Sequence, residues 1–169
     1  ARTFNNTLTA ALATIKENND IQFIWQTGKY YYPQVTEAVR AAGELPNLYV
    51  TDFIKDMAAA YAASDLVISR AGAGSISEFC LLHKPVVLVP SPNVAEDHQT
   101  KNALALVDKQ AAIYVKDSEA EAKLMDVALN TVADDRKLKE LSENIAKLAL
   151  PDSARIIAQE VIKLAEAEN

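Results

Sequence analysis

The apolar and polar positions divide the chain into helix-like and strand-like segments in regular succession. Between residues 3 and 17, Phe4, Leu8, Leu12 and Ile15 recur at spacings of three and four, which places one apolar face on a helix. "IQFIWQ" (21–26) reads as a strand closed by Gly28, and "PQVTEAVRAA" (33–42) as a helix ended by Gly43. "NLYVTDF" (47–53) gives a second strand with its exit loop, and "IKDMAAAYAAS" (54–64) a short helix. "DLVIS" (65–69) predicts a third strand, residues 75–83 a helix, and "PVVLVP" (85–90) a fourth strand. The unbroken apolar run of that fourth strand suits a central parallel strand covered on both faces. Beyond the loop "SPNVAED" (91–97), a helix is expected from about His98 to Lys109, then a fifth strand, "AAIYV" (111–115). Three helical segments finish the chain, at about 118–131, 135–149 and 152–167, the last two parted by Pro151. Leu138, Leu141, Ile145 and Leu148 give one of them an apolar stripe.

Strands alternating with helices predict an α/β fold, a Rossmann-like parallel sheet with helices on both faces, as one domain over 1–169. Ligands of such sheets sit beyond the carboxyl ends of the strands. The loops at 27–32, 51–56, 70–75 and 90–98 are therefore expected to share one rim. Hydrophobic residues make up 50% of the chain and charged residues 24%, an ordinary globular balance. The net charge of −6 argues against an extended nucleic-acid face. It leaves room for a small anion, which backbone N–H groups at a helix start can hold locally. The single cysteine, Cys80, excludes an internal disulfide and suits a reducing compartment. In its apolar helical setting it reads as a small buried hydrophobe rather than a nucleophile. No apolar run approaches the ~20 residues of a membrane span. "ARTFNNTL" does not resemble a signal peptide and reads as a chain that starts in mid-structure, with no lead-in strand.

Three constellations on the expected rim carry chemistry. In "SRAGAGSISEF" (69–79), Ala71, Gly72, Ala73 and Gly74 offer backbone with almost no side chain, and glycine permits positive φ. A helix starting near Ser75 would leave the N–H groups of Gly74, Ser75 and Ile76 open to a phosphate. Glu78, one turn in, is an acceptor suited to vicinal hydroxyls such as those of a ribose. Ser75-Ile76-Ser77-Glu78 also spells a capping box, in which Glu78 would only bond the cap residue. The stretch is neither G-x-G-x-x-G nor a Walker A loop. In "NVAEDHQTKNA" (93–103), Asp97 is a candidate N-cap, and His98, Gln99 and Asn102 lie within one turn. The two amides could read sugar hydroxyls, or the group could be a solvated helix start. With His83 the only other histidine, and no H-E-x-x-H or cysteine pair, no metal site is expected. In "VTDFIKDM" (50–57), Phe53 and Ile54 could wall a flat base, or staple the loop onto the next helix.

Taken together, "DFIKDMAAAYAASDLVISRAGAGSISEF", "PVVLVPSP" and "HQTKNA" resemble the C-terminal donor domain of the MurG family. These are bacterial UDP-N-acetylglucosamine transferases that make lipid II from lipid I in peptidoglycan synthesis. The resemblance covers nearly the whole chain, with the motifs in the family's order. It implies the C-terminal half of a two-domain GT-B fold and an inverting transferase. Within the site it implies that the backbone around Ile54 reads uracil. Ala73, Gly74 and Ser75, with Ile76 and Ser77 beside them, would face the diphosphate, and Glu78 would hold the ribose. Gln99 and Asn102 would contact the N-acetylglucosamine, with His98 standing where some members carry a glutamine. No cofactor or metal is implied.

The family's Gly-Gly-Ser-x-Gly-Ala-Arg loop survives here only as Ala1-Arg2. The N-terminal domain that would bind lipid I, touch the cytoplasmic face of the inner membrane and carry the general base is absent from this sequence. The expectation is therefore a donor domain inactive alone, with catalytic residues outside it. The neighbouring readings are another GT-B glycolipid transferase, a UDP-GlcNAc 2-epimerase, and a non-catalytic nucleotide-binding module. The final segment, with Ile156, Ile157, Val161 and Leu164, is expected to expose an apolar face where it lacks a partner.

Overall fold

The computed structural model describes residues 2–94 and 97–167. In chain order these form α1 (Arg2–Ala10), α2 (Leu12–Glu17), β1 (Phe23–Gln26), α3 (Tyr32–Ala42), β2 (Leu48–Thr51), α4 (Met57–Ala63) and β3 (Val67–Ser69). Then come α5 (Ala73–Leu82), β4 (Val86–Leu88), α6 (His98–Val107), β5 (Ile113–Tyr114), a 3-10 turn at Asp117–Glu119, α7 (Ala120–Val132), α8 (Asp135–Ala146) and α9 (Ser153–Ala167).

Local chemistry sets the boundaries. Gly43 closes α3 at φ 87°, a conformation glycine adopts without strain. Asp56 and Asp134 cap α4 and α8, their carboxylates accepting the amides of Ala59 and Lys137, each at 2.9 Å. The cap at Asp56 starts α4 three residues later than the apolar pattern suggested, and leaves Ile54 in the preceding loop. The first helical stretch breaks at Ala11, whose amide divides between the carbonyls of Thr7 and Leu8.

All strand pairs are parallel. β1 pairs with β2, aligning Gln26 with Thr51, while β3, β4 and β5 form a second ladder aligning Ser69 with Leu88 and Leu88 with Tyr114. The one continuous sheet expected from the sequence is therefore divided. Between β1 and β3 runs a groove of about 330 Å³, and no hydrogen bond among the described residues joins the two ladders.

β4 is the centre of the larger ladder, with Val86, Val87 and Leu88 wholly buried. Its two faces pack into separate cores, one with Phe79, Leu106 and Ile145 and one with Val115, Ala120 and Leu124. A third core, of Leu12, Ile15, Trp25, Val35, Leu45 and Met125, supports β1 and β2. In α9, Ile156, Val161 and Ile162 are all more than half exposed, as expected for this segment. The side chains of Ile157 and Leu164 lie outside the described residues, as does Ala1.

Candidate functional site

The shared rim forms as the alternating pattern requires, and long-range side-chain bonds knit its loops together. The turn after β3 differs from the expected one. Gly72 caps α5 with extended backbone, φ −69° and ψ 142°, and the helix begins at Ala73. Gly74 is thus inside the first turn, and neither glycine has positive φ; that conformation belongs to Gly28 and Gly43. The Ile76 amide donates to the Gly72 carbonyl at 3.0 Å. The N–H groups without an intrahelical acceptor are therefore those of Ala73, Gly74 and Ser75, one residue earlier than expected. Ser77 turns its hydroxyl back to the Ala73 carbonyl at 3.0 Å. Ile76 packs against the core below.

The same shift removes the capping box. Ser75 lies too deep in the helix to be its cap, and α5 has no side-chain cap bond. The Glu78 carboxylate instead accepts the Tyr61 hydroxyl at 3.3 Å, across from α4. That bond is long for O–H to a carboxylate, so Glu78 retains most of its acceptor capacity. Burial, and then the Glu78 charge, push the Tyr61 phenol above its ordinary value. The Tyr61 ring meets Phe79 edge to face, with centroids 5.7 Å apart.

Ile54 and Gln26 form the neighbouring corner. The Ile54 amide donates to the Gln26 side-chain oxygen at 2.8 Å, joining the loops after β1 and β2. Phe53 is 60% exposed, which excludes a hydrophobic staple onto α4. A shallow depression lined by Thr51, Asp52, Phe53 and Ile54 opens beside them.

On the far side, α6 begins at His98 after Asp97, which occupies the cap position at φ 54° without a side-chain cap bond. Ala95 and Glu96, earlier in this constellation, lie outside the described residues. Both amides of the helix are partly committed. Gln99 Oε1 accepts the amides of Ala71 at 3.3 Å and Ser91 at 2.9 Å. Asn102 Nδ2 donates to the Ala71 carbonyl at 3.1 Å. Among the described residues no hydrogen bond engages Gln99 Nε2 or Asn102 Oδ1, and His98 is exposed at the helix start.

Sequence reasoning passed over Arg70. Its guanidinium donates to the carbonyls of Val89 at 3.0 Å and Pro90 at 3.1 Å, and pairs with Asp117. It also lies 4.6 Å from the centroid of the Phe4 ring. Asp117 in turn accepts the Thr3 hydroxyl at 3.1 Å. One arginine thereby fixes the turns after β3 and β4 against the 3-10 turn after β5. The available signal was an arginine directly after an apolar strand, where a charge must find partners. Cys80 is buried, and burial pushes its thiol up, away from the reactive thiolate.

The model of the glycosyltransferase family 28 C-terminal domain matches residues 1–157. The chain belongs to this family. Over all 169 residues the family 28 domain is 99% identical to the UDP-N-acetylglucosamine–N-acetylmuramyl-(pentapeptide) pyrophosphoryl-undecaprenol N-acetylglucosamine transferase of Bacteroides thetaiotaomicron, covering 45% of it. The protein of that name from Parabacteroides distasonis is 54% identical over 164 residues, 97% of this chain and 44% of the relative. The domain thus spans less than half the length of these curated relatives. Among solved structures, the crystal structure of Acinetobacter baumannii MurG matches with a TM-score of 0.79 at 27% identity, over 96% of this chain and 48% of that one. These matches bear out the family resemblance and the Rossmann-like, GT-B type of fold.

Proposed function

We propose that the family 28 domain binds UDP-N-acetylglucosamine, and that a longer protein containing it transfers the sugar to lipid I, giving lipid II and UDP. The observation that carries this is the pair of glycines at α5. Glycine within a helix costs ~0.5–1 kcal/mol relative to alanine. Gly74, inside the first turn, does not offset that cost through positive φ, Gly72 stands at the cap position with extended backbone, and a Cβ at either would meet nothing within 4 Å. What a bare backbone gives here is close approach from outside, at a helix start whose Ala73, Gly74 and Ser75 amides point outward. A diphosphate fits that chemistry.

The rest of the rim follows in order. Glu78 takes the ribose hydroxyls, the loop at Ile54 takes the uracil, and Gln99, Asn102 and His98 take the sugar. The Ile54 amide is held by Gln26, so base recognition through that amide requires the glutamine to yield. When the acceptor 4-hydroxyl attacks the anomeric carbon, the UDP leaving group gathers negative charge at the α5 start, which stabilises it. The general base, the acceptor pocket and the cytoplasmic membrane contact belong, in this reading, to the remainder of the longer protein. Among the described residues no helix is long and apolar enough to cross a membrane.

The test is calorimetric titration of UDP-N-acetylglucosamine into the domain and its Glu78→Ala variant. Loss of the ribose acceptor should weaken binding by ~1–3 kcal/mol, with melting temperature nearly unchanged because Glu78 caps nothing. Equal affinity for the two proteins would remove Glu78 from the site. Absence of binding, both here and in a longer protein carrying both domains, would refute the donor reading.

A further inference from the structure

Nothing on its own helix holds the Glu78 carboxylate. The side chain stands exposed on α5, and the residues one turn away, Gly74, Ser75, Leu81 and Leu82, give it no bond. A glutamate left in this state moves among many rotamers, and fixing it on a ligand costs entropy. Among the described residues its single hydrogen-bond partner is the Tyr61 hydroxyl on α4, 3.3 Å from Oε2.

Tyr61 is placed by contacts that do not involve Glu78. Its ring meets the buried Phe79 edge to face and packs against the core on that side of β4. Where α4 ends, the Lys84 ammonium donates to the Ser64 carbonyl at 2.6 Å and ties α4 to the turn between α5 and β4. The hydroxyl therefore arrives at a fixed point, on a ring that the fold already holds. Burial, and then the Glu78 charge, raise the phenol above its ordinary value, so it remains a donor at neutral pH.

The bond is long for O–H to a carboxylate, and it engages one lone pair of one oxygen. Oε1 stays open, as does the second acceptor site on Oε2. The hydroxyl thus steers the carboxylate more than it occupies it. A lone sugar hydroxyl can be met by either oxygen of a freely rotating carboxylate. A vicinal pair needs both oxygens presented at once, which is what a fixed orientation supplies.

We propose that Tyr61 is a positioning residue for nucleotide recognition. Through its hydroxyl it holds the Glu78 carboxylate in the orientation that takes both hydroxyls of a ribose. It thereby sets a preference for a ribonucleotide over a 2′-deoxyribonucleotide. This rests on the donor reading, in which Glu78 takes the ribose.

The test is calorimetric titration of UDP and of 2′-deoxyuridine diphosphate into the chain, Tyr61→Phe, Glu78→Ala and the double variant. Tyr61→Phe keeps the ring on Phe79, so its melting temperature should stay close to the parent's. It should bind UDP about three- to tenfold more weakly, the effect of one lost hydrogen bond. The deoxy nucleotide, which asks for one oxygen only, should weaken by about twofold or less, so the preference for ribose shrinks. Adding Tyr61→Phe to Glu78→Ala should weaken UDP binding no further, because Tyr61 acts through Glu78. The proposal is overturned if Tyr61→Phe binds UDP as the parent does while Glu78→Ala does not; the ribose reading then stands without it. It is also overturned if Tyr61→Phe weakens both nucleotides alike, or if the two losses simply add, since either marks a structural role. If Glu78→Ala binds UDP as well as the parent, the ribose reading itself fails and this proposal falls with it.

Discussion

Replacing Gln99 with leucine isolates the scaffolding function of a side chain that the proposed function also assigns to the sugar. Its Oε1 accepts two backbone amides and so pins the turn after β3 to the loop after β4. Ala71 is completely buried, and without Gln99 its amide has no water to turn to. An unmet buried donor costs ~1–3 kcal/mol. The 3.3 Å length of this bond argues for the lower part of that range. Ser91 is only half-buried, so solvent can replace its bond and the net loss there is ~0.5–1 kcal/mol. Gln99→Leu should therefore lose ~2 kcal/mol, which for a chain of this size lowers the melting temperature by ~4–8 °C. Gln99→Glu keeps an oxygen able to accept both amides, and should stay within ~0.5 kcal/mol of the parent. Urea denaturation followed by far-UV circular dichroism measures both variants. The reasoning is refuted if the leucine variant is as stable as the parent, or if the glutamate variant is as unstable as the leucine one.

Arg70→Met strands Asp117 with only the Thr3 hydroxyl and releases two carbonyls. Because both side chains of the pair are about one-fifth exposed, the expected cost is ~2–4 kcal/mol rather than that of a fully buried pair. Adding Asp117→Leu should recover part of it, and a double variant no more stable than Arg70→Met would contradict the pairing. Tyr61 carries an alkaline signature. Its phenol titrates higher in the folded chain than in the unfolded one, so its contribution is full below the ordinary tyrosine range and disappears as pH rises through the folded value. Glu78→Gln removes one cause of the rise, and phenolate absorbance should show Tyr61 ionising at lower pH. An unmoved titration would mean that burial alone raises it. The exposed Ile156, Val161 and Ile162 of α9 predict concentration-dependent association by sedimentation velocity, abolished in Ile156→Glu/Val161→Glu. A parent chain that sediments as a monomer at all concentrations would end this expectation.

The sequence made legible what depends on near neighbours. The run at 85–90 announced a central strand because a parallel strand covered on both faces needs apolar residues on both. Gly43 announced the end of α3 because the chain reverses there through positive φ. The start of α5 was misplaced because Ser-x-x-Glu carries a strong local signal, while an extended Gly72 at the cap position carries almost none. The contacts that shape the rim were not legible, since they cross long stretches of chain. Tyr61 reaches Glu78 over 17 residues, Ile54 reaches Gln26 over 28, and Arg70 reaches Asp117 over 47. Nor does local pattern reveal the groove: strand periodicity says that β1 and β3 exist, not which edges they share.

Helix α7 gives the division between the ladders a mechanical meaning. Its consecutive residues Leu124 and Met125 enter different cores, the first under β4 and the second under β1 and β2. Side chains at adjacent positions project about 100° apart around a helix, so α7 acts as an axle wedged between two plates. The ladder carrying the Ile54 loop and the ladder carrying the Ser91 loop are thereby joined through side-chain packing on one helix instead of strand-to-strand hydrogen bonds.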